Sequence, residues 1–187
     1  MKQRFNVKPP QLGAVGLLHQ EGIFGVVALI GMALRGRRPL EALSFAGPWW
    51  QAIAAGICAA LACVFLWRLL VFLPAVRDLE SWQAALVRTW SDGDVVAVAV
   101  LSGVCEEALV RAMLQPWIGL IPAAAIFGVL HVIPDRRLWL WPVTAFSIGL
   151  VFGLLYETWG YPSAAVSHVV LNLVSLRRLK SLGDSEE

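Results

Sequence analysis

The chain has 187 residues, of which 58% are hydrophobic and 15% charged, and its net charge is +2. Soluble domains have about 45–50% apolar and about 25% charged residues, so this composition indicates a membrane protein. The small net charge and the lack of a long basic run argue against nucleic acid as a partner. Nine tryptophans fit the aromatic belts at membrane–water boundaries. The three cysteines lie in apolar runs and form no metal-binding or disulfide pattern.

Six apolar stretches are candidates for membrane spans, since a spanning helix needs about 20 mostly apolar residues. We interpret the first as a retained helix, because "HQE" interrupts its apolar run and no clean cleavage site follows. The fourth begins after Pro116, and the sixth is short. The sequence therefore predicts an all-α, polytopic membrane helix bundle with about six transmembrane helices. These lie at 12–34, 48–74, 94–115, 117–133, 138–157 and 161–176.

The segment "AVRDLESWQAALVRTWSDGD" separates the second and third stretches. Its apolar residues Leu79, Trp82, Leu86 and Trp90 recur at helical spacing, with charges between them. This pattern is typical of a helix lying in the membrane interface. An extension of the third helix explains it equally well.

Positive charges in the loops predict the orientation. With the N-terminus inside, ten Lys and Arg fall on the inner side and three on the outer side, namely Arg35, Arg37 and Arg38. The first helix taken alone gives a tie, with three flanking charges on each side. We therefore expect an integral protein of a bacterial-type plasma membrane, with both termini in the cytoplasm.

Ionisable and polar residues inside these stretches are the informative ones. A central Asp, Lys or Arg costs roughly 2.5–3.5 kcal/mol on the insertion scale, so such residues face the bundle interior and commonly mark function. Six residues of this kind lie in the third, fourth and sixth stretches: Glu106, Glu107, Arg111, His131, His168 and Asn172.

Helical spacing separates the two glutamates. Glu107 and Arg111 are four residues apart, with the acid first, which is the favourable order for an ion pair. Glu106 points about 100° away and has no cation on its own face. A free carboxyl in an apolar pocket is a stronger base than one in water, which suits a general base near neutral pH. The alternative is that all three residues only lock helices together.

His168 and Asn172 are also four residues apart. Two neutral donors side by side could stabilise a developing negative charge. The alternative for this pair is an interhelical hydrogen bond. If a bundle core brings Glu106, His131 and His168 together, the resulting site suits water activation and attack on a carbonyl.

His19 and Glu21 form a weaker group near the start of the first helix. We expect both at the membrane interface, where polarity costs little. The alternative is a contact with the substrate or with the active-site pocket.

Three motifs, "EEALVR" at 106–111, "FGVLH" at 127–131 and "HVVLN" at 168–172, occur in order inside apolar stretches. They resemble the EExxxR, FxxxH and HxxxN signatures of the CPBP family, intramembrane proteases that process CAAX-prenyl proteins and bacteriocins. The resemblance covers roughly residues 94–176 and implies a four-helix catalytic core there. It divides the chain into N-terminal helices with the interfacial segment (1–93), this core, and a basic then acidic tail (177–187).

The resemblance also implies a role for each residue. Glu106 resembles the carboxylate that activates water, and His131 would help to hold that water. His168 and Asn172 would stabilise the oxyanion. Three further residues would support the site: Glu107, Arg111 and Phe127.

The family name of metalloprotease raises the question of a metal. Glu106, His131 and His168 could supply the three ligands of a catalytic zinc site. Yet HExxH is missing, and the Asn172 amide suits an oxyanion better than zinc. We therefore favour a glutamate-dependent mechanism without a cofactor, with zinc as the alternative.

The expected substrate is a peptide or protein with a membrane-embedded or lipidated tail, met within the lipid bilayer. Two other functions stay open at this point. A non-catalytic scaffold or immunity protein could use the same fold. A proton-coupled transporter could also use intramembrane Glu and His, although the chain shows no inverted repeat. The sequence predicts no particular oligomeric state.

Overall fold

The structure is a computed structural model that describes residues 13–184. Four helices precede the motif-bearing half: α1 (Ala14–Leu34), the short α2 (Pro39–Ala42), α3 (Trp49–Leu69) and α4 (Pro74–Val87). In the second half, α5 (Asp92–Glu107) runs directly into a π-helix (Ala108–Leu114) and then into α6 (Gln115–Ile118). After α7 (Leu120–Leu130) and a single 3₁₀ turn (Arg136–Leu138) come α8 (Leu140–Trp159) and α9 (Tyr161–Asp184). The described residues form no β-strand, which confirms the all-α membrane bundle.

Within residues 13–184, three helical segments are long and apolar enough to cross a membrane: Ala14–Leu34, Trp49–Leu69 and Arg136–Trp159. The other predicted spans are also helical, but each is shorter or more polar. α7 has only 11 residues, and α5 and α9 carry the polar residues singled out above. The chain is therefore an integral membrane protein whose most polar helices lie among apolar ones.

The segment between the second and third predicted spans forms a separate helix, so the extension alternative is wrong. Leu73 and Pro74 start α4, because proline is favoured in the first turn of a helix. The predicted second span is accordingly too long and ends at Leu69. Ser91 then caps α5: its hydroxyl accepts from Asp94 N, and Asp94 accepts from Ser91 N in return.

Two other predicted boundaries are wrong for identifiable reasons. The fourth span does not begin after Pro116, because α6 continues to Ile118 and the chain turns at Gly119, whose φ of 82° favours glycine. The sixth span does not end at 176. The charged residues after it continue α9, since Arg178 pairs with Glu80 on α4 and Lys180 lies 2.5 Å from Asp92 on α5.

α9 is the central helix and packs against α3, α4, α5 and α8. Small residues permit these close approaches, as in other membrane bundles. A Cβ at Gly103 on α5 would lie 2.7 Å from the backbone nitrogen of Val169, so only glycine fits this crossing. The close contact places the motif residues of α5 and α9 opposite each other.

Candidate active site

The third-helix motif lies where the helix widens. Glu107 is the last residue of α5, and Arg111 lies within the π-helix that follows. π-helical turns are rare and are frequently found at functional sites. Both side chains are completely buried.

The predicted ion pair is confirmed. Arg111 Nε donates to Glu107 Oε2 at 2.9 Å. Arg111 Nη1 donates to Gln115 Oε1 at 3.2 Å, and Gln115 in turn donates to the Gly153 carbonyl and to Glu157, both at 3.0 Å. This network joins the π-helix to α8, so Arg111 fixes the position of the motif as well as neutralising Glu107.

Glu107 has a second partner that helical spacing did not reveal. Its Oε1 lies 2.9 Å from His168 Nδ1 on α9. Because a carboxylate can only accept, Nδ1 must be the protonated nitrogen of the ring. A neutral His168 then has a lone pair at Nε2. The ring can donate from Nε2 only as an imidazolium, whose charge Glu107 would balance.

His131 is the residue that ends α7, and its tautomer is fixed in the same way. Its Nδ1 lies 2.8 Å from the Phe127 carbonyl, which can only accept. In the neutral ring Nε2 is therefore an acceptor. Phe127 is buried, with its ring centroid 4.8 Å from that of His131 and 5.8 Å from that of His168. The aromatic side chain thus separates and packs the two imidazoles.

Asn172 depends on a residue that the sequence did not single out. Its Nδ2 donates to Ser102 Oγ at 2.9 Å, and Ser102 donates to the Val98 carbonyl at 2.7 Å. One N–H of the Asn172 amide is thereby fixed to α5, leaving the other for a ligand. A serine inside an apolar helix is a weak signal on its own, so only the three-dimensional contact identifies it.

A cavity of about 530 Å³ brings the motif residues together. Glu106, His131, His168 and Asn172 all line it. Its apolar wall includes Leu130, Trp141, Ile148 and Phe152, and charged residues of α3, α4 and α9 also line it. These residues are Arg68, Glu80 and Arg178.

Glu106 differs from Glu107 in having no bound cation. Its Oε2 is buried and has no hydrogen-bond donor among residues 13–184. Glu21, predicted at the interface, is instead 3% exposed and lines the same cavity beside Glu106. That prediction is wrong for Glu21, because α1 packs against α5 and turns this residue inward. His19 is exposed and bonds to the Val15 carbonyl of its own helix.

The cavity contains the three side chains that could serve as zinc ligands, Glu106, His131 and His168. Within the described part of the chain, no group of three His, Cys, Asp or Glu side chains is arranged to hold one. Glu106, His131 and His168 share a cavity without forming a ligand triad, so they do not fit the zinc alternative.

The fold and this cavity define a polytopic helical membrane protein with a buried carboxylate–imidazole site. Residues 88–174 match the family model described as type II CAAX prenyl endopeptidase, Rce1-like. The match confirms the resemblance to the CPBP intramembrane proteases over this segment of the chain. Searches among curated proteins and among solved structures found no match.

Proposed function

We propose that the chain is an intramembrane endopeptidase in which Glu106 activates water for attack on a peptide carbonyl. The matched family supports a CAAX-type endopeptidase at the level of reaction class. The observation that carries the finer assignment is the buried Glu106 oxygen without a donor, in the cavity that His131, His168 and Asn172 also line.

Each residue has a step in the proposed reaction. A water molecule donates one hydrogen bond to Glu106 and one to the acceptor nitrogen of His131. Glu106 takes the water proton as the oxygen–carbon bond forms, and the carbonyl oxygen becomes an oxyanion. The free Asn172 N–H and the protonated His168 ring stabilise that charge. Glu106 then returns the proton to the leaving nitrogen as the carbon–nitrogen bond breaks.

We further propose that the substrate enters with an apolar tail. The cavity wall contributed by Leu130, Trp141 and Ile148 would accept a lipid-modified or membrane-embedded segment near the reacting bond. A probe that distinguishes the two is an internally quenched peptide ending in a CAAX tail, offered with and without a farnesyl group. Faster cleavage of the farnesylated form supports a lipidated substrate, and equal rates support an embedded peptide tail.

The test of the proposed function uses Glu106→Gln in proteoliposomes. General-base catalysis contributes about 10²–10⁴-fold, so cleavage of the peptide should fall by at least about 100-fold while the protein stays folded. Glu41→Gln is the matched control, because Glu41 is an exposed acid that pairs with Arg38 at the surface. Activity of the Glu106 variant within about tenfold of wild type would contradict the assignment.

The same assay decides the role of a metal. We propose that activity survives treatment with a strong chelator, since the asparagine amide and the arrangement of the donors do not suit zinc. Loss of cleavage that returns on adding zinc would overturn the metal-free mechanism while leaving the peptidase assignment intact.

A further inference from the structure

We propose that Glu21 on α1 is a positioning residue of this site, which holds the Glu106 carboxyl group through a proton that the two side chains share. The inference rests on the proposed function, because it takes Glu106 to be the base. It concerns a helix outside the matched segment 88–174.

The first support is the placement of Glu21. It lies two turns into an apolar helix and is 3% exposed, although nothing in the ordinary packing of such a helix calls for a carboxyl group. α1 packs against α5 and against the π-helix, which brings this face of α1 to the motif. Glu21 lines the cavity together with Phe24 of the next turn.

The second support is the pairing of two acids. The carboxyl groups of Glu21 and Glu106 lie within hydrogen-bonding reach of each other. The Oε2 atoms of both are buried and have no donor within the range the structure describes. Two ionised carboxylates can only accept, so they cannot bond to each other. One shared proton supplies the donor and removes the repulsion, as in other carboxyl pairs of hydrolases.

The charged groups around Glu21 and Glu106 have other bonding partners. Arg111 is the nearest cation in the sequence, and it is already bonded to Glu107 and Gln115. The other titratable groups around the pair are Glu107 and His168, which bond to each other, His131, which bonds to the Phe127 carbonyl, and the Cys105 thiol. No ion pair within residues 13–184 neutralises Glu21 or Glu106 in the place of the proton.

A Glu21–Glu106 pair that holds one proton can act as the base of the proposed reaction. It can take one further proton, which is the one that water loses on attack, and it returns that proton to the leaving nitrogen. Between turnovers the shared hydrogen bond holds the Glu106 carboxyl group in one orientation. Without Glu21, the Glu106 carboxylate could still accept a proton, but it would no longer be held in one orientation.

The first experiment compares Glu21→Leu with Glu21→Gln in the peptide-cleavage assay. Misplacing a catalytic group by about 1 Å can cost about 100-fold, so kcat of Glu21→Leu should fall by about that factor with KM nearly unchanged. The Gln amide can donate to Glu106 without a shared proton, so this variant should stay within about tenfold of wild type. His19→Ala, on the exposed face of the same helix, is the control that leaves kcat unchanged.

Two outcomes of that assay would overturn the proposal. One is wild-type kcat in Glu21→Leu. The other is an equal loss of kcat in Glu21→Gln and Glu21→Leu, because the proposal requires the Gln amide to hold Glu106 in place and so to preserve most of the activity.

The second experiment needs no activity. The infrared difference spectrum between wild type and Glu21→Gln, at neutral pH and without substrate, should show the carbonyl band of one protonated carboxyl group lost in the variant. An unchanged spectrum in this region would contradict the shared proton. If the wild-type protein cleaves no peptide, the proposed function fails, while the infrared comparison still decides whether the pair exists.

Discussion

At the scale of single residues, the adjacent glutamates Glu106 and Glu107 have different surroundings because a helix turns about 100° between them. Glu107 is completely buried and bonds to Arg111 and His168. Glu106 faces the cavity with an unpaired oxygen. Glu107 therefore joins α5 to α9, whereas Glu106 keeps an oxygen that a ligand in the cavity can reach.

Ser102 should matter through Asn172. Replacing it by Ala removes the acceptor that fixes the Asn172 amide, so kcat for the CAAX-tail peptide should fall by about tenfold with little change in expression. Ser147→Ala is a matched control, since Ser147 makes the same kind of bond to a carbonyl four residues back but on an exposed face. Equal activity of the two variants would mean that Ser102 has no role in holding Asn172.

The residues that could be predicted from the sequence are those whose partners are local. The pair of Glu107 with Arg111 follows from a spacing of four within one helix. The contact of Glu107 with His168 spans 61 residues, and the burial of Glu21 depends on how α1 packs against α5. Neither can be derived from hydropathy, which explains why Glu21 was expected at the interface.

At the scale of elements, the junction between the π-helix and α6 has an unusual cap. Pro116 has no N–H to give to a carbonyl of the preceding turn, which belongs to the π-helix. The guanidinium of Arg37, from the loop after α1, donates to the Ala112 carbonyl of that turn at 3.0 Å. A loop at one end of α1 thus completes the hydrogen bonding of the helix that carries the motif.

Arg37→Ala should destabilise the protein by about 1.5–3 kcal/mol, the usual contribution of a hydrogen bond to a charged group. Thermal unfolding in detergent would measure the change. Arg38→Ala is the control, because Arg38 forms an exposed ion pair with Glu41, and such pairs contribute about 0–1 kcal/mol. If the two variants unfold at the same temperature, the Ala112 cap is energetically unimportant.

Most helices could be predicted from apolar length, but their ends could not. Hydropathy marks where a stretch stops being apolar, and α9 continues beyond that point because Arg178 and Lys180 find acidic partners on other helices. Likewise, the helix break predicted at Pro116 occurs at Gly119, whose φ is positive. Helix ends in this protein depend on capping and tertiary pairing more than on composition.

At the scale of the whole molecule, the site depends on both halves of the chain. The family match begins at residue 88, yet α1 contributes Glu21 to the cavity, and α3 and α4 contribute Arg68 and Glu80.

The tryptophans fall into an exposed group and a buried group. Trp49, Trp50, Trp117 and Trp139 are exposed near helix ends, as expected for aromatic belts, whereas Trp82 and Trp90 are buried.

The proposed orientation can be tested with two matched cysteine variants. With the native cysteines replaced by Ala, Arg38→Cys should react with a membrane-impermeant maleimide in intact cells, and Arg77→Cys should react only after permeabilisation. Both arginines are exposed, one in the predicted outer loop and one on α4. The opposite labelling pattern would invert the topology inferred from ten inner and three outer charges.

The widened turn after Glu107 has a practical consequence for helical-wheel diagrams. Such diagrams advance every residue by the same angle, whereas a π-helix closes its hydrogen bonds five residues back instead of four. Positions after Ala108 therefore do not project onto the same wheel as positions before it. Scanning mutagenesis of this helix should treat residues up to Glu107 and residues from Gln115 onward as two separately phased sets.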